Sequence, residues 1–592
     1  MPTDAETELV FRTFEREVLD KHYTTLAIWR RDRSTAVYAA LAQFDCFAIL
    51  SLCGPPALSG IGTTQILKNL EEGLAEALRW LHNGNPQIDL TPTDDPKIIG
   101  EAGEFCGFAG KYVDIADFHK MYGRGQVEIE VDEPSRTVRF LTPKGRLLAA
   151  SLIGMAEQSH RLGKLPVVAD PSSRAELGKK IFTLLSETNF RYESGHIVLA
   201  DASIANREMI KELFDQAMPE EPLPLDEEED LIGFTAGEFE KFFAALRRWS
   251  FCCTFGFLLS ITKWGKQQWE CAPTQCIART EFLESMQSLT ALPRTTVEAI
   301  VQRLTYDCKA KWPDVYQQPL FCGANTVTWS ASVIQNSKQL RNMLKLMSRT
   351  KSLQDHAANL IGSREGRMLW ELGHMLSRRG KTEYKLTTSI SCGDDKGEVD
   401  LVAYNRKLPD ELLIVEGKAG LGVDEINEVD AATTEMQGGQ EQLANVRGIL
   451  ARMSDGEKAA IFKFVNWSLV KRVYGVVVSA DAEPNDRYDH SEYPGISLQT
   501  IRARLRDNHF GSPQKFWRAC KERNWMNKLR AYTERYSPIS VGEVTYELPV
   551  LVEPADDADE RHRKDMERMM REFEDSTTPR ERSTKPRKRR RR

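Results

Sequence analysis

Between residues 360 and 480 the hydrophobic positions switch between two periods. Leu360, Ile361, Met368, Leu369, Leu372, Met375 and Leu376 recur at helical spacing, and Gly380 is placed to end that helix. Strand patterns follow over Glu383–Ser391, Glu398–Tyr404 and Glu411–Glu416. The last contains Leu412-Leu413-Ile414-Val415, an unbroken apolar run of the kind that is buried. Pro409 marks the turn between the second and third strands. Leu443, Val446, Ile449 and Leu450 return to helical spacing over Gly438–Met453, and Val473–Ser479 reads as another buried strand. The order helix, three strands, helix, strand predicts an α/β unit.

The rest of the chain reads as mainly helical, so the expected fold class is multidomain, mainly α and α/β. Residues 4 to 120 carry helical patterns, and Gln126–Val131 and Thr137–Leu141 alternate around a turn, as a hairpin does. Residues 218–231 combine prolines with a dense acidic run and are expected to be a solvated linker. Helical patterns at Thr280–Leu289 and Thr296–Leu304, then short strands at Pro319–Cys322 and Thr326–Trp329, predict a winged helix or a structural module of that order. The expected divisions are 1–217, the linker 218–231, 232–350, an α/β unit 351–553, and a charged tail 554–592. The apolar stretch Ala36–Cys53 includes Gln43 and Asp45, which predicts a buried helix and no membrane partner.

Charge and cysteine usage narrow the picture. A formal net charge of −6 over 592 residues is not that of a strongly basic nucleic-acid binder, so polyanion contacts must be local. The 11 cysteines lack paired zinc spacing and read as reduced core residues of an intracellular protein. After Ser512-Pro513, a capped helix start, basic residues mix with Phe516, Trp517 and Trp525, favouring a packed aromatic face over a base-stacking one. Lys585–Arg592 is a basic tail that would bind any polyanion, or serve as a nuclear import signal in a eukaryote.

The chemistry sits on the second and third strands. Gly397-Glu-Val-Asp400 is followed, sixteen residues after Asp400, by Glu416-Gly417-Lys418. Glu416 and Lys418 are two residues apart and project from one face of their strand. If the two strands pair, Asp400 comes beside Glu416. Two carboxylates and the backbone carbonyl between Glu416 and Lys418 make an all-oxygen site suited to Mg²⁺ or Mn²⁺. Lys418 can orient or deprotonate a water, or neutralise a charged transition state.

This arrangement resembles the PD-(D/E)XK, restriction-endonuclease-like, nuclease superfamily over the C-terminal third of the chain. Asp400, Glu416 and Lys418 match its two acids and its lysine. The resemblance implies the core order given above, phosphodiester hydrolysis and a Mg²⁺ or Mn²⁺ cofactor. It implies a supporting acid on the first helix, at Glu371 with Glu365 as competitor. It also implies a glutamine at the start of the later helix, at Gln442 with Gln440 equally placed; Val446 replaces the tyrosine that often follows. Glu398 is expected to lie outside the site. DNA is the expected substrate and RNA the other candidate, with a partner protein or a second copy of the chain left open. A cytoplasmic bacterial enzyme of restriction, anti-phage defence or DNA repair is the expected setting. The competing class is a non-catalytic nucleic-acid-binding or scaffold protein.

Overall fold

The computed structural model describes residues 4–53, 63–82, 88–141, 180, 183–217 and 225–552, apart from 126, 312, 379–381, 422–425, 481–482, 485–487, 506–507 and 524–532. The chain is multidomain and mainly helical, with several separate sheets.

The α/β unit contains α1 (Gln354–Ser377), β1 (Thr382–Cys392), β2 (Asp395–Asn405), β3 (Glu411–Lys418), α2 (Ile426–Arg452), β4 (Arg472–Ser479), β5 (Gly495–Ser497), α3 (Leu498–Arg504) and α4 (Pro513–Glu522). Its five strands run in the order β5-β4-β3-β2-β1. The first three form an antiparallel meander, and β4 and β5 continue the sheet in parallel. A parallel neighbour needs a long crossover, and α2 lies within the β3–β4 connection. The two helices cover opposite faces. Leu401, Ala403, Leu413 and Val415 pack with Met368, Leu369 and Leu372 of α1. Val402, Tyr404, Leu412 and Ile414 pack with Leu443, Val446 and Ile449 of α2. Burial from both sides explains why β3 is apolar at consecutive positions.

The strands match their expected spans to within a few residues, whereas α2 begins at Ile426, well before Gly438. Gly438-Gly439 reads locally as a break but lies inside the helix.

Upstream, the expected separation into two regions gives way to one continuous core that includes Tyr38, Trp249 and Trp329. Asp45 ties it together. This buried carboxylate accepts from Ser330 Oγ at 2.6 Å, Ser332 N at 2.7 Å and Ala331 N at 3.1 Å, and also from Thr274 Oγ1. The expected linker is likewise revised within its described part. Leu225 and Leu231 are buried, and Arg367 of α1 pairs with Asp226 at 2.5 Å and Glu229 at 3.1 Å. Ser363 Oγ donates to Glu229 at 2.9 Å, so 225–231 is a folded contact against the α/β unit. Residues 218–224 lie outside the described residues.

The helices at Arg279–Thr290 and Arg294–Leu304 and the strands at Phe321–Cys322 and Thr326–Trp329 follow the expected order, and an earlier strand, Gln275–Ala278, pairs with Thr326–Trp329. The second of these helices buries Val297, Ile300, Val301 and Leu304. Its Arg294 pairs with Glu298, and Arg303 donates to the carbonyls of Leu231 and Ile232. These basic groups are engaged within the protein.

The C-terminal strands depart most from expectation. Thr533–Val541 and Val544–Val552 form a hairpin that does not belong to the five-stranded sheet. Val544–Val552 pairs in parallel with Thr137–Leu141, placing Thr545 beside Thr137 and completing a four-stranded sheet with Glu128–Asp132. Val544, Tyr546 and Leu548 share a core with Phe11, Phe14 and Phe140. The expected boundary at 553 therefore assigns this hairpin to the wrong body. No local pattern announces a strand pairing across some 400 residues.

On α4, Ser512 Oγ accepts from Lys515 N at 3.1 Å, Phe516 is buried, and Trp517 Nε1 donates to the Glu492 carbonyl at 3.0 Å. These two aromatics pack against the protein; Trp525 and Lys585–Arg592 lie outside the described residues. The described cysteines are free thiols, most of them buried. Among the described residues one helix, Ala236–Thr262, is long and apolar enough to cross a membrane, and 67% of its apolar window is buried inside the protein.

Removing residues 533–592 should expose the core around Phe11, at roughly 1.5–3 kcal/mol for each large apolar side chain uncovered. Limited proteolysis is expected to cut within residues 4–25 of the shortened chain under conditions that spare the full one. Unchanged digestion would show that the N-terminal helix holds without the hairpin.

Candidate active site

The pairing of β2 with β3 sets Leu401 opposite Val415. The same register brings Asp400 beside Glu416, near the C-terminal end of β3. Asp400 Oδ2 also accepts from Gly417 N at 2.7 Å. Lys418, on the same face of β3 as Glu416, donates from Nζ to Glu416 Oε1 at 2.7 Å. The Glu416 side chain is 5% exposed and that of Lys418 16%, so this is a sheltered ion pair.

Strand alternation breaks at Asp400. Val399 packs on the α2 side together with Val402, while Leu401 packs on the α1 side. The ladder passes from Leu386↔Leu401 to Thr388↔Val399, omitting Thr387 and Asp400. Thr387 has a φ of 32°, a costly conformation for a β-branched residue and one that tends to be kept at functional sites. In a regular strand Glu398 and Asp400, two residues apart, would share a face. The change of phase separates them, leaving Glu398 exposed and Asp400 turned to the carboxylate of β3.

Helix α2 closes the other side. Gln442 Oε1 accepts from Lys418 Nζ at 2.6 Å, whereas Gln440 Nε2 donates to the carbonyls of Asp489 and Tyr493. The structure thus separates two glutamines that the sequence left equivalent. Gly439 lets the helix approach: a Cβ there would lie 2.9 Å from Val477 Cγ1 and 3.3 Å from both Glu416 Cγ and Lys418 Cε. That contact accounts for a glycine inside a helix, which otherwise costs about 1 kcal/mol relative to alanine.

Glu371, the expected supporting acid, is not brought to the site. Arg502 of α3 grips it with a forked ion pair, with Nε at 2.7 Å from Oε1. Its competitor Glu365 is there instead: Glu365 Oε2 accepts from Ala419 N at 3.3 Å. Six residues along a helix turn a side chain through about 240°, so the two glutamates face different ways. Gly417 admits Glu365, since a Cβ at 417 would lie 3.1 Å from Glu365 Cγ. Glu435, missed from the sequence because α2 was expected to start later, lies at the same end: its carboxylate would meet a Cβ on Gly420 at 3.0 Å. The stripe Glu435, Gly439, Gln442 was the available signal, once the glycine pair is read as helical.

Burial dominates the electrostatics. It raises the pKa of Asp400, and it raises Glu416 from 4.5 to about 7, with the Asp400 charge adding to the shift. Glu365 is also raised, first by burial and then by Asp400, and Glu435 is raised by burial. Two acids in contact that resist ionising together form an oxygen-rich pair that a small hard cation would relieve. Asp400 and Glu416 fit such an ion, with the Gly417 carbonyl, which follows Glu416 in sequence, as a further oxygen. Among the described residues no group of three or more His, Cys, Asp or Glu side chains converges to hold a metal. The remaining ligands would then be backbone, water or substrate, the way Mg²⁺ commonly binds.

No protein-family model, curated protein or solved structure matches the chain.

The raised acid has a thermodynamic consequence. With a folded pKa of about 7 against an ordinary 4.5, the folded protein holds a proton that the unfolded chain releases earlier. In EDTA, this group's contribution to stability should be greatest below pH 4.5 and decline as pH rises through 7. Thermal unfolding of Glu416→Gln should lack that decline over pH 5–8, by comparison with the unsubstituted protein; matching profiles would refute the assignment to Glu416.

Proposed function

We propose that the α/β unit is a metal-dependent nuclease of the PD-(D/E)XK type that hydrolyses phosphodiester bonds of DNA. The observation that carries this reading is the convergence of Asp400, Glu416, Lys418 and Gln442, from two strands and one helix, at the C-terminal end of β3.

Asp400 and Glu416 would hold the divalent cation, with the Gly417 carbonyl available as a third protein oxygen. When bound, Mg²⁺ or Mn²⁺ lowers the pKa of a coordinated water and offsets charge developing on the phosphate. Lys418 supplies a positive charge beside the phosphate, and Gln442 holds its ammonium in position through the 2.6 Å bond. Glu365 replaces Glu371 as the supporting acid, since it lies within reach of the Lys418–Ala419 backbone. The phase change at Asp400 turns its carboxylate into the site.

By analogy, a multidomain nuclease of this kind suits restriction or anti-phage defence, with DNA repair as the second setting. The large N-terminal part is then a sensing, regulatory or substrate-positioning body. It meets the α/β unit through the Arg367 contacts with Asp226 and Glu229.

The test is cleavage of linear and circular duplex DNA, single-stranded DNA and RNA in Mg²⁺, Mn²⁺ or EDTA. The expected result is metal-dependent cutting of DNA, reduced by about 100-fold or more in Asp400→Ala and Lys418→Ala. Cutting that survives both substitutions would reject this site. Cutting of RNA alone would change the substrate, and binding without cutting would support the scaffold class.

A second comparison separates the two glutamates of α1. Glu365→Gln is expected to lower activity at limiting Mg²⁺ by roughly 10- to 100-fold, the range for groups that support a metal site. Glu371→Gln should leave it within a few-fold. The reverse order would restore Glu371 as the supporting acid.

A further inference from the structure

We propose that the outer face of α1 is a stacking platform for unpaired bases of a bound nucleic-acid strand, centred on Trp370. This inference rests on the nuclease reading and names a feature of its substrate, a single-stranded segment beside the scissile duplex.

Trp370 is 54% exposed and belongs to none of the hydrophobic cores. Leaving about half of the largest apolar side chain in water forgoes burial energy, so a packing role does not account for it. The ring is nonetheless held. His374, one turn along α1, stacks on it with centroids 4.7 Å apart and planes 20° from parallel. A restrained indole loses little entropy when a base stacks on it.

The surroundings select the occupant. Residues 370, 374 and 378 follow one another at intervals of four, so an exposed Arg378 extends the stripe. On the flank, Arg502 of α3 is already paired with Glu371, so Arg378 is the cation of this stripe. An exposed aromatic pair continued by a guanidinium at one end fits a strand with stackable bases and a phosphate backbone. A protein partner fits poorly. The other large exposed apolar side chains, such as Phe47, Met209 and Leu469, lie on other elements, so α1 lacks an extended apolar patch.

Position links the platform to the chemistry. Glu365, at the site, and Trp370 lie on the same helix, separated by about 7.5 Å along its axis at 1.5 Å per residue. Trp370 is turned outward from the sheet that Met368, Leu369 and Leu372 face. A strand leaving the site over α1 reaches the indole within a few nucleotides.

The test is fluorescence anisotropy in EDTA, so that no strand is cut. Labelled oligonucleotides would be single-stranded, blunt duplex and duplex with a single-stranded extension. Trp370→Ala, Trp370→Phe and the unsubstituted full chain would be compared, with duplex cleavage in Mg²⁺ run in parallel. Trp370→Ala is expected to weaken binding of the single strand and of the extended duplex by about tenfold, leaving blunt duplex within twofold. Trp370→Phe should recover most of the loss, which a purely structural role would not require. An unsubstituted chain that cuts duplex while Trp370→Ala keeps its single-strand affinity would overturn the platform alone. Equal loss on all three ligands, or no single-strand binding by the unsubstituted chain, would also overturn it. Absence of both binding and cutting would remove the nuclease reading with it.

Discussion

Asp400 and Glu416 are two acids pressed together where water is scarce, and the α/β unit is arranged around that contact. Burial and mutual repulsion both oppose their joint ionisation. The fold supplies partial compensation within the strand end itself: the Gly417 N–H on Asp400 and the Lys418 ammonium on Glu416. A divalent cation would supply the rest. Gln442 and Gly439 belong to the same arrangement, because a helix can deliver one side chain to Lys418 only where its backbone approaches closely. Thr387 fits it too, as a strained residue opposite the acid that leaves the regular ladder.

The rest of the chain forms a frame closed on itself. Asp45, on the helix Arg33–Cys53, ties that helix to Thr274 and, through three more donors, to residues 330–332. The C-terminal hairpin returns to pair with strand Thr137–Leu141, so the α/β unit is flanked in sequence on both sides by parts of the N-terminal frame. The acidic segment 225–231 adds a direct contact to α1, through Arg367 and Ser363. Arg367 stands two residues from Glu365, so one rigid helix meets both the acidic segment and the candidate site. The unit is built into the chain and is not a bead on a linker.

The local patterns were sufficient for the elements of this unit and for part of its site. Leu412–Val415 read as a short buried strand, and the i, i+2 rule put Glu416 and Lys418 on one face before any pairing was known. Residues that act through helix rotation were not legible in the same way. Glu365 and Glu371 have the same composition-level claim, and only the azimuth of α1 against Gly417 selects the first. Gln440 and Gln442 are separated by the rotation of α2. Glu435 was hidden by a glycine pair whose local preference is to end a helix, and which tertiary packing overrides.

The sequence by itself determined what is short-range: periods, strand ends, the spacing of acid, acid and lysine, and the cap at Ser512. These follow from the geometry of a few successive residues. Only the tertiary structure decided the phase change at Asp400, the choice among paired helix side chains, the use of 225–231 as a contact, and the return of the last hairpin to the first sheet. Each of these depends on atoms brought together from distant parts of the chain, and no local window contains the energies that settle them.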